Sequence, residues 1–233
     1  MKYLLIFLVI LSHLNLYSQS KKINTTKIEY VKAYKNISDS SNSKPKPLKN
    51  LNYLLLFDEK QSIFYQSKNM LIDGDYTNKR LAMKGGGRGI YYKNILEKNK
   101  INILKQDGKN FFVKKEYRNW DWKILKETKK IMGYTCLKAI GKLEQYNYIL
   151  KENKTLTVTV WFTREIPVSF GPSGFDGLPG LVLESKRGSF YFIATKINFD
   201  QNDKIILPKD GIIIEDEEFA KMQYEAFMSY VND

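Results

Sequence analysis

At 233 residues, 43% apolar and 27% charged, the chain has the make-up of one globular unit that folds without crosslinks. One cysteine, Cys136, excludes an internal disulfide, and one histidine, His13, excludes clustered-histidine metal sites. The net charge of +13 raises a polyanion partner, but only five of the 38 basic residues are Arg, the side chain that phosphate and base recognition favours. Nucleic acid is therefore not an expected partner.

In chain order, Met1-Lys2 precedes the apolar run Tyr3–Leu11. One positive charge and a short apolar stretch are the layout of a secretory signal peptide. The run falls short of the roughly 20 apolar residues that span a bilayer. Ser18 and Ser20 supply small residues, so cleavage is expected before Gln19. Residues 1–18 are then the signal peptide and residues 19–233 the mature domain. Cleavage removes His13 and with it every Ser-His-Asp or Cys-His arrangement. Cys136 is expected as a buried small hydrophobe.

Lys27–Tyr34 alternates like a first strand. Ser38–Asn50, polar with two prolines, reads as an exposed loop. Leu51–Phe57 and Gln61–Gln66 read as a hairpin around Asp58-Glu59-Lys60. Asp73-Gly74-Asp75 is a turn that lacks the other ligands of a calcium loop. Gly85-Gly86-Gly87-Arg88-Gly89 lacks a P-loop ending and reads as a flexible loop. Residues 79–115 carry 11 Lys or Arg against Glu97 and Asp107. That density is expected as a solvated surface, with anionic lipid attraction as its functional alternative.

Strand signals then become dense over Gly89–Tyr92, Ile101–Gln106, Phe111–Lys114, Trp122–Thr128, Thr135–Gln145, Thr155–Thr163, Leu181–Ser185 and Phe190–Phe199. The absence of intervening helical periods predicts antiparallel pairing. Glu215–Glu218 put four acids at the start of a helix pattern, where they complement its dipole. Phe219, Met222, Ala226 and Tyr230 form its apolar stripe, for packing on the sheet or gating a pocket. The fold class is mainly β (α+β): a single domain with a curved antiparallel sheet or half-open barrel and one C-terminal helix.

Two stretches carry a resemblance. One is Trp122–Ala139, with Met132-Gly133-Tyr134-Thr135-Cys136. The other runs from Val160-Trp161-Phe162-Thr163-Arg164-Glu165-Ile166-Pro167 to Gly174-Phe175-Asp176-Gly177-Leu178-Pro179-Gly180-Leu181-Val182. Together they resemble the GLPGLI family of secreted Bacteroidota proteins, with Val182 in place of the last Ile of that signature. The Leu51–Phe57 and Ser62–Tyr65 pair fits the same pattern. Gly141–Thr155 departs from it as a longer hairpin. The resemblance implies export and an envelope setting, often beside TonB-dependent outer-membrane transport systems. It carries no catalytic residue.

The signature itself is a Gly/Pro-locked loop between strands. It reads either as a corner or as a preformed recognition surface. Its candidate binding residues are Gly171, Pro172, Phe175, Asp176, Gly177, Leu178, Pro179, Gly180 and Glu184. Glu165, Asp176 and Glu184 would support acid–base chemistry only if two of them met; ion pairs with Arg164, Lys186 or Arg187 are the alternative. The leading functional expectation is a non-enzymatic envelope protein, periplasmic, outer-membrane-associated or extracellular. It would bind an apolar ligand, a lipid or an outer-membrane transport partner, with no cofactor and no metal. A carboxylate hydrolase and a polyanion-binding module are the rivals. A deep apolar pocket, convergent carboxylates or a continuous lysine face would discriminate among the three.

Overall fold

The computed structural model describes residues 24–36, 38–40, 43–67, 81, 83–118 and 120–232. The signal-peptide segment, the Gln19 cleavage site and Asp73-Gly74-Asp75 lie outside them. Twelve strands form one sheet: β1 Thr25–Tyr34, β2 Lys46–Phe57, β3 Gln61–Gln66, β4 Ile90–Asn94, β5 Asn99–Gln106, β6 Lys109–Lys114, β7 Asp121–Ile131, β8 Tyr134–Asn147, β9 Glu152–Thr163, β10 Leu181–Arg187, β11 Phe190–Gln201 and β12 Ile212–Glu215. Their order is β12-β6-β5-β4-β3-β2-β1-β11-β10-β9-β8-β7, an open sheet with β12 and β7 at its edges. The helix α1, Asp216–Asn232, follows β12 directly. The mainly-β expectation with a C-terminal helix holds, as an open sheet and not a closed barrel.

The period-2 pattern sets the faces. Ile28, Tyr30 and Lys32 on β1 all point inward and are fully buried, as do Val158, Val160 and Phe162 on β9. Hairpins supply most of the register. Met132 and Gly133, both at positive φ (52° and 87°), close β7–β8 with the backbone sense that matches strand twist. The Gly141–Thr155 stretch is the expected long hairpin, pairing Leu143 with Leu156 and Tyr146 with Asn153.

Four expectations are corrected. Ser38–Asn50 is not loop throughout, because β2 starts at Lys46 and Pro47 sits opposite Ala33. Pairing with β3 begins only at Tyr53, so Pro47 occupies a stretch with one free edge, where its missing N–H costs no ladder bond. Pairing is not wholly antiparallel: β12 runs parallel to β6, with Ile212 opposite Phe111. Glu215 ends that strand and does not open the helix. The helix stripe is only half used. Phe219 and Met222 pack with Leu104, Val113 and Ile214 in a small core. Ala226 is exposed and Tyr230 is 84% exposed.

The main core gathers Tyr30, Tyr53, Phe64, Phe162 and Phe192 around Ile166, Phe170, Phe175, Leu178 and Leu181. The last five belong to the segment between β9 and β10 or its exit into β10. That segment is therefore interior. It lies against one face of the sheet as a plug, and the sheet curls around it: Trp122 of β7 and Lys100 of β5, from strands far apart in the order, both bond to it.

Its backbone leaves no spare room. A Cβ on Gly180 would stand 2.2 Å from the Thr163 carbonyl oxygen. Gly177, at φ +97°, adopts a conformation that side-chain-bearing residues avoid. Gly177→Ala is expected to cost about 1–2 kcal/mol. Gly180→Ala should cost more, since backbone must move, and Leu178→Asp, charging a side chain only 2% exposed, should cost more than about 3 kcal/mol. Urea unfolding of the three variants checks the ranking.

Candidate functional site

The β4–β5 register sets Lys93 directly opposite Lys100. Like charges facing each other across a ladder repel, and here both side chains are almost fully buried. Asp176 resolves the conflict. One carboxylate oxygen accepts from Lys93 Nζ at 2.8 Å and the other lies 3.0 Å from Lys100 Nζ. Lys93 also donates to the Ser169 carbonyl and Lys100 to the Gly174 carbonyl. Desolvation pulls the Lys100 ammonium below the usual lysine range, and Asp176 opposes that pull.

Two indoles hold the same segment from the other side. Trp120 Nε1 donates to the Gly174 carbonyl at 3.0 Å, and Trp122 Nε1 donates to the Asp176 carbonyl at 2.9 Å. Trp120 also packs edge-on against Phe175, with centroids 5.5 Å apart. Within the turn Pro172–Gly174, Ser173 takes φ 55° and its hydroxyl accepts the Gly87 N–H at 2.9 Å.

That bond corrects the reading of Gly85–Gly89 as a flexible loop. The glycines press on Phe190, Phe192, Tyr53 and Ser173, and added Cβ atoms at 85, 86 and 87 would collide with them. Lys32 anchors the run, donating to the Gly86 carbonyl at 2.7 Å. Its ammonium lies near the rings of Tyr53, Phe190 and Phe192, 5.2–5.9 Å from their centroids. Burial, aided by the Arg187 charge, lowers its pKa to about 7. The inward phase of Ile28-x-Tyr30-x-Lys32 was the sequence signal for this lysine, as Lys100-x-Asn102-x-Leu104 was for β5.

The nine sequence-predicted residues do not share one surface. Gly171, Pro172, Phe175, Asp176, Leu178 and Gly180 are buried, and Gly177 and Pro179 are exposed. Glu184 sits on β10, where Lys129 Nζ meets both its oxygens at 2.8 Å. Glu165 accepts the Thr135 N–H at 2.7 Å. The three carboxylates thus serve three separate sets of partners. Cys136 is fully buried, and desolvation pushes its thiol up to about 11, as a structural cysteine requires. Among the described residues, no group of three or more His, Cys, Asp or Glu is placed to hold a metal.

The plug floors a cleft that the sequence did not reveal. One cavity of about 250 Å³ is lined by residues including Tyr91, Asn102, Trp120, Phe175, Arg187 and Glu144. A neighbouring one of about 340 Å³ lies between the β8–β9 hairpin tip and α1, lined by Tyr146, Tyr148, Tyr224 and Phe227 among others. Gln145 and Leu156 line both. The walls touch through Tyr148, whose ring centre is 6.2 Å from that of Tyr224 and whose hydroxyl donates to Glu217 at 3.3 Å.

Residues 142–184, from the second half of β8 to the start of β10, match the model of a family described as a protein of unknown function, Porph_ging. No curated protein matches. Among solved structures, PNGF-II in its P21 crystal form is similar, with a TM-score of 0.57 and 17% identity over 86% of this chain. PNGF-II in its C2 form gives 0.54 and 18% over 82% of the chain. The chain spans 33% and 31% of those two chains. At such identity the likeness is one of fold.

Two outcomes follow from the buried lysines. Asp176→Ala should destabilise by about 3–5 kcal/mol, since it strands two buried cations. Joint replacement by Lys93→Met, Lys100→Met and Asp176→Leu should recover much of that loss, as read by thermal or urea unfolding. For Lys32, the unfolded chain holds a proton that the folded chain has released between pH 7 and the ordinary lysine range. Unfolding free energy should therefore rise with pH from 7 to 9.5, by at most about 3 kcal/mol from this group. Below pH 7 the burial penalty is fully present. Lys32→Met should flatten the slope in pH-dependent urea titrations.

Proposed function

We propose that the chain is an exported, non-enzymatic binding protein of the cell envelope, of the GLPGLI kind, whose ligand lies in the cleft between the plug, the β8–β9 hairpin tip and α1. The observation that supports it is the division of labour around the plug. The carboxylates near it are consumed internally, Asp176 by Lys93 and Lys100 and Glu184 by Lys129, whereas the open cleft above it is lined by aromatic and amide side chains together with Lys115, Arg187, Glu116, Glu144 and Asp216. Glycoside-type chemistry needs two carboxyls flanking one bond; of the three that line the cleft, Asp216 pairs with Lys115 and Glu144 accepts from the Thr155 hydroxyl.

Four lysines of residues 79–115 are withdrawn from any continuous anion-attracting face. Lys93 and Lys100 are buried, and Lys114 and Lys115 pair with Glu215 and Asp216. The cleft mixes Tyr, Phe and Trp with Gln, Asn and charged groups, the lining of a site that orients a partly polar ligand. That favours a polypeptide partner over a lipid held in a sealed apolar pocket.

A photo-crosslinking residue placed at Gln145, which lines both cavities, and one at Phe199, exposed and lining neither, test the reading in the native cell. Position 145 should yield a discrete adduct in the envelope fraction, identified by mass spectrometry, and position 199 should not. Equal labelling at both positions, or no adduct at 145, would refute cleft binding.

A further inference from the structure

Lys93, Lys100 and Asp176 are 4%, 6% and 6% exposed. Two ammonium groups on one carboxylate leave a net positive charge in a place almost closed to water. A buried site relieves such an excess by releasing a proton. Lys100 is the residue placed to release it. It lines the open cavity of about 250 Å³, which Lys93 does not border, so its proton has a route to solvent. Desolvation lowers its pKa against the pull of Asp176, and the charges of Lys93 and Lys115 lower it further. A void of about 20 Å³ is bordered by all three residues, room for a single water molecule.

We infer that Lys100 and Asp176 condense into an isopeptide bond that ties the plug to β5, with Lys93 supplying the proton. The neutral Lys100 Nζ lies 3.0 Å from Asp176 Oδ2. It attacks the Asp176 Cγ, and the Nζ–Cγ bond forms. Lys93 Nζ, 2.8 Å from Oδ1, gives that oxygen one proton, and the Lys100 nitrogen gives it a second. The Cγ–Oδ1 bond breaks and Oδ1 leaves as water into the adjoining void. Oδ2 stays as the amide carbonyl, Lys93 ends as a neutral amine, and nothing is oxidised or reduced.

Three features favour this step. The reacting groups are held in place, and well-oriented intramolecular pairs reach effective molarities of about 10⁵ M or more. Burial limits the water that would reverse the condensation. The product also replaces buried ions, which are costly to desolvate, with a neutral amide and an amine that keeps the Ser169 carbonyl as a partner. A chain with one cysteine cannot form an internal disulfide, and this bond is a covalent staple that needs none. It is independent of what the cleft binds, so either reading can fail alone.

The test is tandem mass spectrometry of a tryptic digest of wild-type chain purified in the folded state and then denatured. Trypsin does not cut after an acylated lysine. Residues 99–105 should therefore appear joined to residues 165–186, lighter than the two peptides together by one water. Asp176→Ala and Lys100→Arg should abolish the joined peptide, and Lys93→Met should reduce it at least about tenfold. If these variants fail to fold, the wild-type digest decides. Recovery of residues 165–186 unlinked and at full mass from folded protein would overturn the inference. A join through residues 89–98 would make Lys93 the nucleophile and overturn the assignment to Lys100. Loss of one water within residues 165–186 alone would mark a cyclic imide at Asp176-Gly177 and overturn the crosslink. An undiminished yield in Lys93→Met would overturn the role given to Lys93.

Discussion

Two lysines face each other on neighbouring strands, and one aspartate from a distant loop lies between them. The β4–β5 register puts Lys93 opposite Lys100, an arrangement that costs free energy by itself and more when water is removed. Asp176 bonds to both, so the strand pair is stable in this buried form only with the plug in place. The plug in turn is held in the concavity by the same ions and by the Trp120 and Trp122 indoles. Strands from both halves of the sheet thereby share one interior segment. A hydrophobic triad of equal volume would suit stability as well. Removing one partner alone is what costs, because it leaves a buried charge uncompensated.

The consequence for function is a contrast in rigidity. The floor of the cleft is tied by buried ions, indole N–H bonds and the Ser173–Gly87 contact. Its outer wall is a hairpin tip and a helix joined through one tyrosine. Walls with few buried contacts separate at low cost, while a rigid floor limits the entropy lost on binding. On the proposed reading, this cleft takes an extended ligand and reads it at fixed polar positions. The candidate loop supplies the floor of this cleft and not its walls. Most of its residues are buried, and beyond Ser173, Gly174 and Phe175 the groups that line the cleft come from β4, β5, β8, β9, β10, the residues before β7 and α1.

Much of the architecture was legible in the residues. Alternation in Lys27–Tyr34 and in Thr155–Thr163, the turn residues between strands and the acid-rich helix start are local signals, and local sterics and dipoles act before tertiary contacts form. The burial of Cys136 and the density of the Gly/Pro segment were also readable, since both follow from side-chain chemistry and backbone geometry. The inward phase of Lys32 and Lys100 was present too, but a lysine at a core position looks like noise until its partner is known.

Tertiary structure alone decided the rest. The partner of Lys93 and Lys100 is more than 70 residues away in sequence, and no periodicity links them. The glycine run became ordered because aromatic rings from β2 and β11 and a serine from the plug press on it, not through any propensity of its own. The parallel pairing of β12 depends on where a long passage of chain delivers four residues. The cleft depends on sheet curvature that brings Tyr148 to Tyr224. Sequence determines which residues can enter a strand, a turn or a core. Which charges neutralise each other, and which side chains are left facing a cavity, are set only when distant segments meet in space, because Coulombic and packing energies depend on distances between groups the chain order keeps apart.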